Sequence, residues 1–276
     1  MAYIPPYFLD CVVAIGSVNK DDSKHWTGTG FLYGQKLKPE EKPHKKYRIF
    51  LVTNKHVLQG YDSVVLKFNP QKNLASVDIP LRLIEDDKVL WTGHIGQDID
   101  VAVIELNAPL LDQIGLKINC YQSDKTVANI QKLKDIGVSE GDSTFTLGFP
   151  MGMLDRDRQY VFLRKGSISR IRDLFDNLST DFIVDSLVFP GNSGGPVILK
   201  PEVGAIEGTK INNQAYLIGV VKSYIPFQDV AISQQTKRPR IIFEENSGLA
   251  LVEPVDHITD TIQVYEKKHG RDDLLF

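Results

Sequence analysis

Short apolar or alternating runs recur along the chain between clusters of Gly, Pro, Asn and Asp, the period-two pattern of strands packed against a core. They predict strands at 11–18, 30–33, 48–53, 63–68, 79–84, 89–91 and 101–106. A polar stretch follows at 121–141, and a second set is predicted at 144–149, 160–170, 182–185, 196–199, 216–224, 240–243 and 248–252. The fold class is therefore all-β, with two similar β units, about 8–112 and about 142–253, joined by a linker over about 113–141. Only the tail reads as helix, over about 254–267. Pro254 suits a first turn, and Val255, Ile258, Ile262 and Tyr265 recur on one face at helical spacing. The segments 36–46 and 228–240 carry prolines and clustered charges and read as surface loops.

Composition narrows the class of function. Of 276 residues, 42% are hydrophobic and 24% charged, which excludes disordered and low-complexity chains. The formal charge of −3 leaves no basic excess for nucleic acid. Cys11 and Cys120 are too few for a disulfide framework and are expected as free thiols, with no His/Cys cluster for a metal. The start lacks a basic n-region and is broken by Pro5 and Pro6, so no signal peptide is read. No apolar run is long enough to span a bilayer, and the expectation is a cytoplasmic protein with no membrane partner and no cofactor.

The chemistry concentrates in Phe189-Pro-Gly-Asn-Ser-Gly-Gly-Pro196. Three glycines around one serine fit a backbone that bends sharply so that its N–H groups converge, as in an oxyanion hole, with Gly191 and Ser193 as donors. A serine hydroxyl is a weak nucleophile and requires a histidine base and an orienting carboxylate. His56 ends the apolar run that starts at Ile49. His25 and His44 lie in polar loops, His94 in a Gly-flanked turn, and His257 and His269 in the tail. Asp100 opens the apolar run to Leu106, where a carboxylate needs a partner. Asp98 on the same strand parity and Glu105 at the far end are its competitors. His56, Asp100 and Ser193 run in the order His, Asp, Ser.

With these residues in place, Thr53-Asn-Lys-His-Val57, Asp100-Val-Ala-Val-Ile104, Leu147-Gly-Phe-Pro150 and Val184 to Pro196 resemble the blocks of trypsin-like serine proteases. The likeness is nearest to the bacterial HtrA/Deg branch, through Gly28-Thr-Gly-Phe31, Gly166-Ser-Ile-Ser169 and Gly248-Leu-Ala-Leu251. The resemblance implies two six-stranded antiparallel β-barrels, a catalytic cleft between them and a C-terminal helix. HtrA proteins usually continue into PDZ domains, whereas this sequence stops soon after Val252, so capture of substrate through a PDZ domain is not expected. By the same resemblance a primary pocket is walled by Leu187, Val188, Phe189 and Pro190 on one side and by Lys222, Ser223 and Tyr224 on another, with Gly248 near its base. Leu187 gives an apolar floor that disfavours Lys or Arg, and Lys222 is open to an acidic group.

The predicted activity is peptide-bond hydrolysis on a protein or peptide substrate. An α/β-hydrolase esterase also fits Gly191-Asn-Ser-Gly-Gly195, but there a helix, then the acid and the histidine, should follow the serine. The remaining alternative is a catalytically silent protease-like binding or scaffolding module. Asn192 stands where secreted trypsins carry an aspartate that pairs with a new N-terminus, so activation by cleavage is not implied. Ordering of 189–193 by the segments 154–160, 171–181 and 228–240, or by a regulatory protein partner, takes its place.

Overall fold

Alternation along the strands divides their side chains between separate cores, and this explains why so many read as nearly continuous apolar runs. The computed structural model describes residues 4–37, 47–72, 75–155, 157–202, 204 and 206–269. A short helix α1 (Pro6–Leu9) leads into β1 (Val12–Val18), β2 (Lys24–Lys36) and β3 (Tyr47–Thr53), followed by helix α2 (Lys55–Leu58). Next come β4 (Ser63–Phe68), β5 (Val77–Arg82), β6 (Ile84–Glu85), β7 (Lys88–Val89), β8 (Thr92–Gly93) and β9 (Ala102–Glu105). In β3, Ile49 and Leu51 enter a core inside the N-terminal sheet, while Phe50 and Val52 enter a second core shared with the C-terminal unit. β1 divides in the same way, Val13 and Ile15 inward and Val12 and Ala14 toward the shared core.

The N-terminal sheet runs β5-β4-β1-β2-β3-β9-β8 and is open. The closed first barrel that the family resemblance implies is not shown. β8 has two residues, and the chain between β5 and β8 folds into the β6/β7 hairpin, which pairs only with itself, so among the described residues no strand bridges the two edges.

The linker holds helix α3 (Ala108–Gln113), strand β10 (Tyr121–Gln122) and helix α4 (Ile130–Ile136). Asn129 caps α4 by accepting from the Lys132 N–H at 2.9 Å, and Gly137 ends it at φ 77°. The tail was thus not the only helix. α4 escapes notice because it is barely two turns long and buries only Leu133 fully.

The second unit is a closed barrel of β11 (Ser143–Gly148), β12 (Phe162–Arg170), β13 (Phe182–Asp185), β16 (Pro239–Pro254), β15 (Tyr216–Ile232) and β14 (Pro196–Leu199), with helix α5 (Arg172–Phe175) after β12. Of the segment 228–240, only the tip at 233–238 is a loop. β15 continues to Ile232, and β16 takes in both 240–243 and 248–252 as one strand, pairing Asp229 with Phe243 and Val230 with Ile242. Of 36–46, all but Lys36 and Leu37 lie outside the described residues. Helix α6 (Val255–His269) puts Val255, Ile258, Ile262 and Tyr265 into the shared core, the predicted face. Among the described residues no helix is long and apolar enough to cross a membrane.

Candidate active site

The site lies where the two units meet, and β3 delivers its first residue. β3 stops at Thr53, and Val57 and Leu58 of α2 are buried in the inner core, which leaves the His56 side chain half exposed at 52%. Gly28 of β2 lies against Val57 so closely that a Cβ there would meet Val57 Cγ1 at 2.6 Å. β9 pairs antiparallel with β3, Thr53 opposite Ala102, and this register sets Asp100, just ahead of β9, beside His56.

Asp100 Oδ2 lies 2.5 Å from His56 Nδ1, and its Oδ1 accepts the His56 backbone N–H at 3.2 Å. Its carbonyl accepts from Asn54 Nδ2 at 2.6 Å. Burial opposes the charge on Asp100. The His56 ring and the N–H groups of His56 and Lys55 outweigh it and hold the carboxyl below its ordinary range. An ionised Asp100 keeps the imidazole proton on Nδ1 and leaves Nε2 to accept one. The rival Asp98 is exposed, and Glu105 is buried in an ion pair with Arg48, which also reaches Glu266 of α6 at 3.1 Å.

Ser193 sits in a turn clamped by both units. Its carbonyl accepts the Thr29 N–H of β2 at 2.9 Å, and the next N–H, that of Gly194, donates to Val221 O of β15 at 2.9 Å. Gly194 has φ 82°, and a side chain there would collide with the Thr29 carbonyl and the Thr53 hydroxyl, so the turn rests directly on the end of the strand that leads to His56.

The peptide groups of the turn are held by their carbonyls. Pro190 O accepts from Met151 N at 2.6 Å, Gly191 O from Thr29 Oγ1 at 2.6 Å, and Asn192 O from Gly195 N at 2.9 Å. In a trans peptide the N–H points opposite the C=O, so holding Pro190 O and Asn192 O turns the N–H groups of Gly191 and Ser193 the other way. Neither has an acceptor among the described residues. Two adjacent, uncommitted donors on a rigid turn are what a developing oxyanion requires.

The turn is ordered by Thr29, by 149–151 and by Asn192 itself, whose Oδ1 accepts the Phe189 N–H at 3.1 Å. Among the described residues, no hydrogen bond links 154–160, 171–181 or 228–240, the segments expected to order the turn, to 189–193.

Behind Asp100 lies a fully buried carboxylate that the sequence did not single out. Glu253 accepts the Asp100 backbone N–H at 3.0 Å through Oε1 and stands 2.7 Å from His257 Nδ1 through Oε2. Burial disfavours its charge, but His257, the Asp100 N–H and Lys222 together hold its carboxyl below the ordinary range. Lys222 Nζ lies 3.0 Å from Glu253 and 3.3 Å from Asp181, and donates to the Asp98 carbonyl at 2.5 Å. The expectation of Lys222 as a cation open to an acidic substrate group is therefore corrected: two carboxylates already neutralise it.

Of the other residues expected at the primary pocket, Leu187 is exposed, Val188 buried, and Phe189 half-buried beneath the Arg164 guanidinium at 5.2 Å. The 186–189 segment runs beside 246–248, with Asn246 Nδ2 donating to Val188 O at 2.5 Å and Ser186 N to Gly248 O at 2.9 Å. Nothing lies within 4 Å of where a Gly248 Cβ would be, so this side is open. Ser223 is exposed, and the half-buried Tyr224 donates its hydroxyl to Glu244 at 2.7 Å. Among the described residues no group of three or more His, Cys, Asp or Glu side chains is placed to hold a metal ion.

Thr29 and Glu253 belong to the site without a strong mark in the sequence. Thr29 was visible only as the middle of Gly28-Thr-Gly-Phe31, and Glu253 as one acidic residue ahead of a helix. The family model for the trypsin-like peptidase domain matches residues 28–202, a span that opens at Gly28 and contains His56, Asp100 and Ser193. No curated protein matches the chain.

Proposed function

Because the chain belongs to the trypsin-like peptidase family, we propose that it is a serine endopeptidase whose nucleophile is Ser193, whose base is His56 and whose orienting acid is Asp100. In this reading Ser193 Oγ attacks a peptide carbonyl while His56 Nε2 takes the hydroxyl proton. The oxyanion settles against the N–H groups of Gly191 and Ser193. His56 then protonates the leaving amine, and water repeats the sequence to release the acyl group. Asp100 stays ionised throughout, holding the ring tautomer and offsetting the imidazolium.

The observation that carries the proposal is the pairing of His56 Nδ1 with Asp100 at 2.5 Å beside a serine turn whose two N–H groups are uncommitted. Within the family we place the chain nearest the HtrA/Deg branch, on the blocks around Gly28, His56, Gly166, Ser193 and Gly248. With Lys222 neutralised, the pocket beside Leu187, Val188, Phe189 and Gly248 suits an apolar residue on the acyl side of the cleaved bond. Digesting a proteome-derived peptide library with the protein tests both points. Cleavage after apolar residues, absent with Ser193→Ala, is the expected result, and a library left intact overturns the reading.

A further inference from the structure

The β15/β16 ribbon leaves the barrel and carries apolar side chains on both faces into solvent. Phe227 and Phe243 occupy one face, at 59% and 52% exposure, and Val230 and Ile242 the other, at 40% and 61%. A two-stranded ribbon alone is marginal in water, and one with two apolar faces calls for further strands. The two outer edges differ. β15 has Pro226, which cannot donate a hydrogen bond, and Asp229 near the middle of its free stretch, both devices that discourage strand addition. β16 has neither across Ile241-Ile242-Phe243. Its pairing with β13 covers only 249–252, and a bulge opposite Ile232 interrupts its ladder with β15 beyond Ile241. The regular bare edge is thus Ile241-Ile-Phe-Glu-Glu245, with Arg240 as the bulge residue at its end, opposite Ile232 together with Pro239.

This edge is self-complementary in one orientation. An antiparallel pair of β16 strands centred on Ile242 sets Ile242 against itself, Ile241 against Phe243, and Arg240 against Glu244. A parallel pair would set Arg240 beside Arg240. Arg240, Ile242 and Glu244 alternate onto one face, so both ion pairs flank the central isoleucines. Glu244 is already fixed by the Tyr224 hydroxyl at 2.7 Å and by Gln228 Nε2 at 3.3 Å, and Arg240 has no carboxylate partner among the described residues. We propose that two copies of this chain pair antiparallel through the β16 edges about a two-fold axis at Ile242, joining two exposed ribbons into one four-stranded sheet. A closed two-fold contact of this kind stops at two subunits.

Sedimentation velocity across about 1–100 μM protein, a range bracketing micromolar association, tests the pairing. A monomer–dimer equilibrium is expected. Because each substitution strikes two symmetry-related pairs, Arg240→Glu and Glu244→Arg should each weaken the dimer roughly 10- to 100-fold, and the double exchange should restore it. Ile242→Cys provides a second readout that does not depend on charge. Residues facing one another across an antiparallel pair lie about 4.5–5.5 Å apart at Cα, within disulfide reach, so mild oxidation should give a covalent dimer through residue 242. A monomer throughout the range, a dimer indifferent to the charge exchanges, or assembly beyond two subunits would each overturn the proposal.

Discussion

Replacing Thr29 by valine tests how the N-terminal sheet holds the Ser193 turn and, in the proposed mechanism, its oxyanion donors. The side chain is completely buried, its hydroxyl donates to Gly191 O at 2.6 Å, and the same oxygen accepts the Phe149 N–H at 3.1 Å. Valine keeps the volume and leaves both backbone groups without a partner in a site that water does not reach. At about 1–3 kcal/mol for each unmet buried group, partly recovered by local shifts, Thr29→Val should lower unfolding stability by about 2–4 kcal/mol. Gly191 loses one of the restraints that aims its N–H, and since removing one oxyanion donor costs roughly 10²–10³ in rate, loosening it should lower kcat about 10- to 100-fold with little change in KM. Urea unfolding gives the first quantity and steady-state hydrolysis of a short ester or peptide the second, with Thr29→Ser as the control that keeps the hydroxyl. A Thr29→Val protein that loses stability but keeps full kcat would refute the claim that Thr29 aims the oxyanion hole.

Other outcomes follow from the same geometry. Glu253→Gln keeps an acceptor for the Asp100 N–H but strips the charge opposite Lys222 and His257, and should cost about 2–4 kcal/mol in chemical denaturation as well as lowering kcat/KM; unchanged stability would deny the buried network its role. Glu140 accepts the N–H groups of Ile171 and Arg172 at 3.1 and 3.2 Å, and although burial works against its charge, these bonds and Arg172 bring its carboxyl down to about 2. Because the folded value lies below the unfolded one, its stabilisation is present above pH 4.5 and fades as pH falls from there toward 2; an NMR titration of the Glu140 carboxyl, with Glu140→Gln as the variant that removes the effect, checks both the midpoint and the slope. A turn already anchored by Thr29, Met151 and Asn192 should give a full stoichiometric acylation burst from the isolated protein, whereas a partial burst that grows when a peptide or partner is added would return control to loop ordering.

The sequence discloses those parts of this molecule that depend on neighbours along the chain. β1, β3 and β9 stand out because both faces are buried, and alternate residues of each strand serve two different cores. Helix α6 stands out because Val255, Ile258, Ile262 and Tyr265 meet a single core. The pairing of His56 with Asp100 and the sharp turn at Ser193 are legible because each residue sits at a local landmark, the end or start of an apolar run or a glycine cluster. What depends on three-dimensional pairing is hidden. Nothing adjacent to Glu253 signals that Asp100, Lys222 and His257 converge on it, and Lys222 reads as a free cation until Asp181 and Glu253 are brought beside it. The ribbon beyond Tyr224 hides for another reason: the polar run around Gln228 and Asp229 takes strand form because Glu244 and Phe243 face it. The open N-terminal sheet turns on β8, two residues long, which no periodicity can reveal.

The central claim is that Ser193 is a nucleophile activated by His56. Its most direct measurement is the intact mass and peptide map of the native protein after brief exposure to a fluorophosphonate, an electrophile that labels activated serines. One adduct per chain is expected, located on Ser193, lost on unfolding and lost in His56→Ala. A native protein that remains unlabelled while a known serine protease in the same tube reacts fully, or an adduct on any other residue, would contradict it.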